Sequence, residues 1–259
     1  MTFLMVALVA VLGLCVGSFL NVVAWRVPRG ESVVRPPSAC PGCGRPIRPA
    51  ENVPVVSWLV LRARCRGCGE RISAVYPAVE LATGVLFVLV FLRFGLSWEL
   101  PAFLYAAAIA VALTVVDIRL HRLPDAIVLP SYVVVAVLLA AAAAATGEWG
   151  DLVRALLGGV IVFVAYFLMV LAYPAGMGLG DVKLAGILGA LLGWVGWGAL
   201  AVGSFGAFVL GGAFALVLVL IRRAGRGSGI PFGPWMMLGA AVGIGAGEQI
   251  FDAYLGLVL

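Results

Sequence analysis

Charge is nearly missing from this chain. Only 11% of its 259 residues are Asp, Glu, Lys or Arg, while 64% are hydrophobic. Soluble domains are about one quarter charged and about one half apolar, so the shortage excludes a soluble domain and implies a polytopic membrane protein. Positive charge is missing from the start as well. The first charged residue is Arg26, so residues 2–24 have no basic n-region, and the run is long enough to span; this excludes a cleaved signal peptide and predicts a retained helix. There is no soluble-type repeat, no low-complexity tail and no strand–glycine-turn–helix unit.

What is present in quantity is apolar sequence. Runs of about 17–25 residues, the length that crosses a bilayer, predict about eight helical spans: 2–24, 74–95, 100–118, 123–146, 152–173, 181–195, 197–221 and 233–258. The least defined boundary is near Gly193–Gly198. Glycine- and alanine-rich stretches such as Gly186–Trp194 and Gly239–Gly247 suit close helix packing. The net charge of +5 raises the question of nucleic acid, but its distribution speaks for topology. Nine of 17 Lys and Arg lie in 26–73; with Arg119, Arg122, Lys183, Arg222, Arg223 and Arg226, fifteen fall on one side. Only Arg93 and Arg154 fall on the other. The rich side is cytoplasmic by the positive-inside rule, which places both termini outside the cytoplasm and both Asp117 and Asp181 at the cytoplasmic boundary. No nucleic-acid partner is expected; lipid is.

The longest polar stretch, 26–73, is too small to fold on hydrophobic burial alone. Its short apolar piece, Val53–Leu61, is compatible with a strand, a short helix or an interfacial segment, with Pro54 disfavouring regular structure at its start. Cys40, Cys43, Cys65 and Cys68 form two CxxC pairs with 21 residues between Cys43 and Cys65. Four thiolates on two tight glycine-containing turns suit tetrahedral zinc, with redox dithiols or free thiols as the alternative, and a full set of four leaves no open position, so the metal reads as structural. A cytoplasmic location disfavours disulfides. Cys15 lies within the first span and reads as a packed residue. The chain thus divides into a first helix (1–25), a cytoplasmic four-cysteine zinc-binding segment (26–73) and a seven-helix membrane domain (74–259).

Ionisable residues in or at the ends of membrane helices are costly and mark function. Asp117 ends one apolar run; Asp181 opens another in Gly178-Leu179-Gly180-Asp181-Val182-Lys183. Two carboxylates on one face of the membrane suit aspartic-protease chemistry, in which the pair shares one proton. Gly178 and Gly180 let a backbone approach closely. Taken singly, Asp181 is also a natural helix cap, Asp125 after Pro124 is more cap-like still, His121 reads as solvated surface, and Glu248 and Asp252 read as interfacial or packing polarity.

The combination of motifs resembles the bacterial type IV prepilin leader peptidases of the GxGD class of intramembrane aspartyl proteases. The resemblance rests on Gly17-Ser18-Phe19-Leu20-Asn21-Val22-Val23, the paired CxxC motifs, Tyr76-Pro77-Ala78-Val79-Glu80-Leu81, Asp117 through Leu123-Pro124-Asp125, Gly178 through Leu184, and Pro231-Phe232-Gly233-Pro234, in family order. It implies an all-α inner-membrane enzyme with Asp117 and Asp181 as the catalytic pair and Gly178, Gly180 and Lys183 supporting the pair or the substrate. It further implies cleavage of a basic leader from type IV prepilins or pseudopilins at the cytoplasmic face, then N-methylation of the new amino terminus from S-adenosylmethionine. Glu80 is the side chain offered for methyl transfer, or else an interfacial carboxylate paired to a loop arginine. Gly243–Gly247 lacks nucleotide-fingerprint spacing and reads as packing. Two other classes compete. An ion- or proton-coupled transporter should show midplane charges and repeated halves, which this chain lacks; a zinc-anchored scaffold leaves the aspartates unexplained.

Overall fold

A computed structural model describes residues 2–174, 176–221 and 231–258. Among them, regular structure is helical: α1 (Thr2–Arg26), α2 (Val56–Val60), α3 (Val75–Phe94), α4 (Leu100–Leu120), α5 (Asp125–Thr146), α6 (Trp149–Ala172), α7 (Leu179–Val195), α8 (Trp197–Leu220) and α9 (Gly233–Val258). Helix is what an apolar run must form in hydrocarbon, where each backbone group needs a partner within its own segment. Eight of these are long. Six of them, α1, α3, α4, α5, α6 and α8, are long and apolar enough to cross a membrane. Neither α7, with 17 residues, nor α9 is among the six. The boundary near Gly193–Gly198 resolves at Gly196, where extended backbone separates α7 from α8. Val53–Leu61 contains the short helix α2. Arg222, Arg223 and Arg226 lie outside the described residues.

The chain forms two compact units, Met1–Ala112 and Leu113–Leu259, divided within α4. In the first, α1 packs on α3 at glycines. A Cβ at Gly13 would lie 2.8 Å from Gly84 Cα, and one at Gly17 would lie 2.7 Å from Glu80 Cα. Asn21 Nδ2 donates to Tyr76 O at 3.2 Å. The Gly17–Val23 stretch thus serves helix–helix contact, as small residues do in membranes.

In the second unit α7 is the central element, touching α5, α6, α8 and α9. Its buried face carries Leu184, Ile187, Leu191 and Leu192. A Cβ at Gly158 would come within 2.6 Å of Gly189 O, so α6 and α7 meet backbone to backbone. The end of α7 and the start of α8 are tied by side chains from other helices. Arg154 donates from Nε to Gly193 O and from a terminal guanidinium nitrogen to Trp194 O, each at 2.6 Å. Glu248 accepts from Ala199 N at 3.1 Å, so it caps the start of α8 and is more than interfacial polarity. Outward faces stay apolar, with Leu89, Val133, Val160 and Phe205 exposed, as lipid contact requires.

Candidate active site

Asp117 sits in the last turn of α4 and is only 5% exposed. A buried carboxylate needs partners, and one is the Gly233 amide, which donates to Asp117 Oδ2 at 3.1 Å from the first residue of α9. A Cβ at Gly233 would lie 2.7 Å from the same oxygen, so only glycine allows this approach. The helix stops just beyond: His121 turns to positive φ and its N–H donates to Asp117 O.

Asp181 is the third residue of α7. Its Oδ2 accepts from Gly178 N at 3.1 Å, which satisfies a free amide at the helix start and places negative charge where the helix dipole favours it. The capping role is therefore real, and it uses one oxygen only. Among the described residues the other oxygen has no hydrogen-bond donor, and the same holds for Asp117.

Leu123, between α4 and α5, lies beside Gly233 and beside Gly180, the neighbour of Asp181. A Cβ at Gly180 would lie 3.1 Å from Leu123 Cβ, and one at Gly233 would lie 3.4 Å from Leu123 Cδ2. Leu123 therefore neighbours both the residue before Asp181 and the residue whose amide holds Asp117. Tyr166 of α6 is buried, and its ring packs on Phe208 at 5.4 Å and Phe232 at 6.4 Å. Phe232 immediately precedes Gly233, so one aromatic cluster ties α6, α8 and the start of α9 around the pair. Tyr166 and Leu123 carry no sequence signal of their own; each is an ordinary residue in an apolar setting.

In the first unit the sulfurs of Cys40, Cys43, Cys65 and Cys68 all lie within 4.8 Å of one another, with Cys40–Cys68 at 3.7 Å and Cys43–Cys65 at 4.0 Å. A tetrahedron with metal–sulfur bonds of about 2.3 Å has edges of roughly 3.8 Å, so the four fit one zinc ion. The two turns match: Gly44 N donates to Cys40 O, Gly69 N donates to Cys65 O, and both glycines have positive φ. The backbone amides of Cys68 and Gly67 bring the Cys65 thiol down to about 6, which favours the thiolate a metal requires. Arg45 and Arg66 both reach Glu51, at 2.7 and 3.7 Å, linking the two turns.

The description Bacterial Peptidase A24 N-terminal domain matches residues 11–94, and Type IV leader peptidase family matches residues 102–219. The chain is 36% identical to the prepilin leader peptidase/N-methyltransferase of Stutzerimonas stutzeri, over 95% of this chain and 92% of that protein. It is 36% identical to the protein of that name from Neisseria gonorrhoeae, over 96% and 93%, and 34% identical to the one from Pseudomonas aeruginosa, over 94% and 91%. The chain belongs to the type IV leader peptidase family. No solved structure matches it.

The family match at 102–219 spans Asp117 and Asp181 but ends before Gly233, the residue whose amide holds Asp117. Three other predicted positions look different in the structure. Lys183 Nζ donates to both Asp125 oxygens, at 2.7 and 2.9 Å, so its ammonium pairs with Asp125 and not with Asp181. Residues two apart on a helix do not share a face, which is why Lys183 and Asp181 diverge. Asp125 is likewise no cap: it sits in the first turn of α5, and its carboxylate goes to Lys183. Glu80 is buried and accepts from Val55 N at 2.7 Å. Its recorded partner is a backbone amide at the start of α2, where a loop arginine was the expected alternative.

Proposed function

We propose that the chain is a prepilin leader peptidase with N-methyltransferase activity, with Asp117 and Asp181 as its catalytic pair. The observation that carries this reading is their convergence around Leu123, each held by a glycine amide through one oxygen. One ionised carboxylate removes a proton from water while its protonated partner polarises the scissile carbonyl. Two carboxylates acting on one bond share a proton, which supplies both roles at once. Water adds to the carbonyl carbon, the carbon–nitrogen bond breaks, and the leader leaves as a carboxylate from a new amino terminus. Gly178 leaves room for an extended peptide beside Asp181, while Gly180 supports the pair by letting Leu123 pack closely.

S-adenosylmethionine supplies the methyl group for that amino terminus, as the names of the relatives imply. For this half we assign Glu80, whose carboxylate also holds α2 in place; Glu80→Gln is expected to lower methylation while cleavage persists. Zinc on the four cysteines is structural and shapes residues 26–73 as a cytoplasmic segment between the first helix (1–25) and the seven-helix membrane domain (74–259). On this reading the enzyme spans the inner membrane through eight helices, with both termini outside the cytoplasm, and its substrates are type IV prepilins or pseudopilins.

The test is direct. The purified chain in detergent, given a prepilin, should release the leader, and the trimmed product should gain a methyl group only when S-adenosylmethionine is added. An intact prepilin after prolonged incubation would sink the reading; trimming without methylation would sink its second half.

A further inference from the structure

The Asp125–Lys183 pair stands next to the dyad and takes no part in it. Asp125 is two residues beyond Leu123, which contacts Gly180 and Gly233. Lys183 is two residues beyond Asp181. Tyr132 Oη donates to Lys183 O at 2.6 Å, so the backbone beneath Lys183 is held by α5. The side chains above it are open, with exposures of 56% for Asp125 and 34% for Lys183. An exposed pair of this kind contributes little to stability and exchanges readily for another partner.

Its setting makes that exchange meaningful. The carboxylates described in the second unit are Asp117, Asp125, Glu148, Asp151, Asp181, Glu248 and Asp252. Glu148 and Asp151 lie at the start of α6, where α5 ends. Glu248 caps α8 where α7 ends, and Asp252 follows one turn later. Within the second unit, Asp125 is therefore the described carboxylate, apart from the dyad, at the end where Asp117 and Asp181 lie. The described cations of that unit at this end include Arg119, Arg122 and Lys183, so a basic peptide approaching the dyad meets repulsion from these and attraction at Asp125.

The geometry points to Asp125 as the acceptor for a basic side chain of the substrate's leader, with Lys183 as an internal stand-in that the leader displaces. The inference rests on the leader-peptidase reading and extends it to substrate selection. A neutral leader gains nothing by displacing Lys183; a Lys or Arg replaces one ion pair by another and is held there. Asp125 is held by Lys183, which is two residues from Asp181 on α7 and so on a different side of that helix.

The experiment measures kcat and KM for one prepilin with its basic leader and for the same prepilin with the leader Lys and Arg replaced by Gln. Asp125→Asn should raise KM for the basic leader about fivefold, the factor that corresponds to one exposed charge pair, and leave KM for the neutral leader unchanged. Lys183→Gln uncovers Asp125 and should lower KM for the basic leader. A brace would shift both variants in one direction and on both substrates. That result, or an unchanged preference for the basic leader in Asp125→Asn, overturns the proposal. Turnover of the neutral-leader substrate shows that each variant is folded. If the unsubstituted chain cleaves neither substrate, the leader-peptidase reading itself fails, and this one with it.

Discussion

Asp117 and Gly233 form a pair in which neither residue can change alone. The amide of Gly233 is Asp117's hydrogen-bond donor, and the absence of a side chain is what lets it approach. Gly233→Ala would press a methyl group against Asp117 Oδ2 at 2.7 Å. It is expected to lower leader cleavage about tenfold or more, since a small misplacement of a catalytic group has effects of that order, while the protein still extracts and purifies as a folded species. Wild-type turnover by Gly233→Ala would show that this amide does not position Asp117. The sequence makes Asp117 and Asp181 conspicuous because charge is rare among apolar residues. It does not mark Gly233 as their neighbour: glycines are abundant here, and the contact joins residues 116 positions apart. Tyr166 is hidden for a similar reason, being one aromatic residue in an apolar helix.

At the scale of the element, the ends of α7 and α8 depend on side chains from other helices. Arg154→Ala would leave the Gly193 and Trp194 carbonyls without their donor. A buried unsatisfied group costs about 1–3 kcal/mol, so the melting temperature in detergent should fall. Glu248→Ala removes the cap on α8, worth about 1 kcal/mol, and should lower it less. Equal melting temperatures for these variants and the parent would contradict both assignments. The positions of the long helices were legible in the sequence because length and apolarity determine them. What Arg154, Glu248, Lys183 and Asp125 bond to was not, because each partner comes from a different helix. The paired CxxC spacing was legible because the turns it needs are local. Replacing Cys40 and Cys65 together by Ser is expected to abolish bound zinc, measured as metal per chain; unchanged stoichiometry would remove the metal from the account.

For the whole molecule, topology and chemistry have to agree. The basic segments and both aspartates are read at the cytoplasmic face, so a reporter active only outside the cytoplasm should work when fused to either terminus and fail when inserted into residues 26–73. The opposite pattern would put the aspartates on the wrong side for a leader that begins in the cytoplasm. The central claim is the carboxylate pair itself. Its most direct test is the initial rate of leader cleavage from a prepilin by the parent protein, Asp117→Asn and Asp181→Asn, purified in one detergent and matched by melting temperature. Asparagine keeps the shape of each side chain and removes its ability to ionise. Each substitution alone is expected to lower the rate by about a hundredfold or more, the scale of acid–base catalysis. Cleavage by either variant near the parental rate would contradict the account.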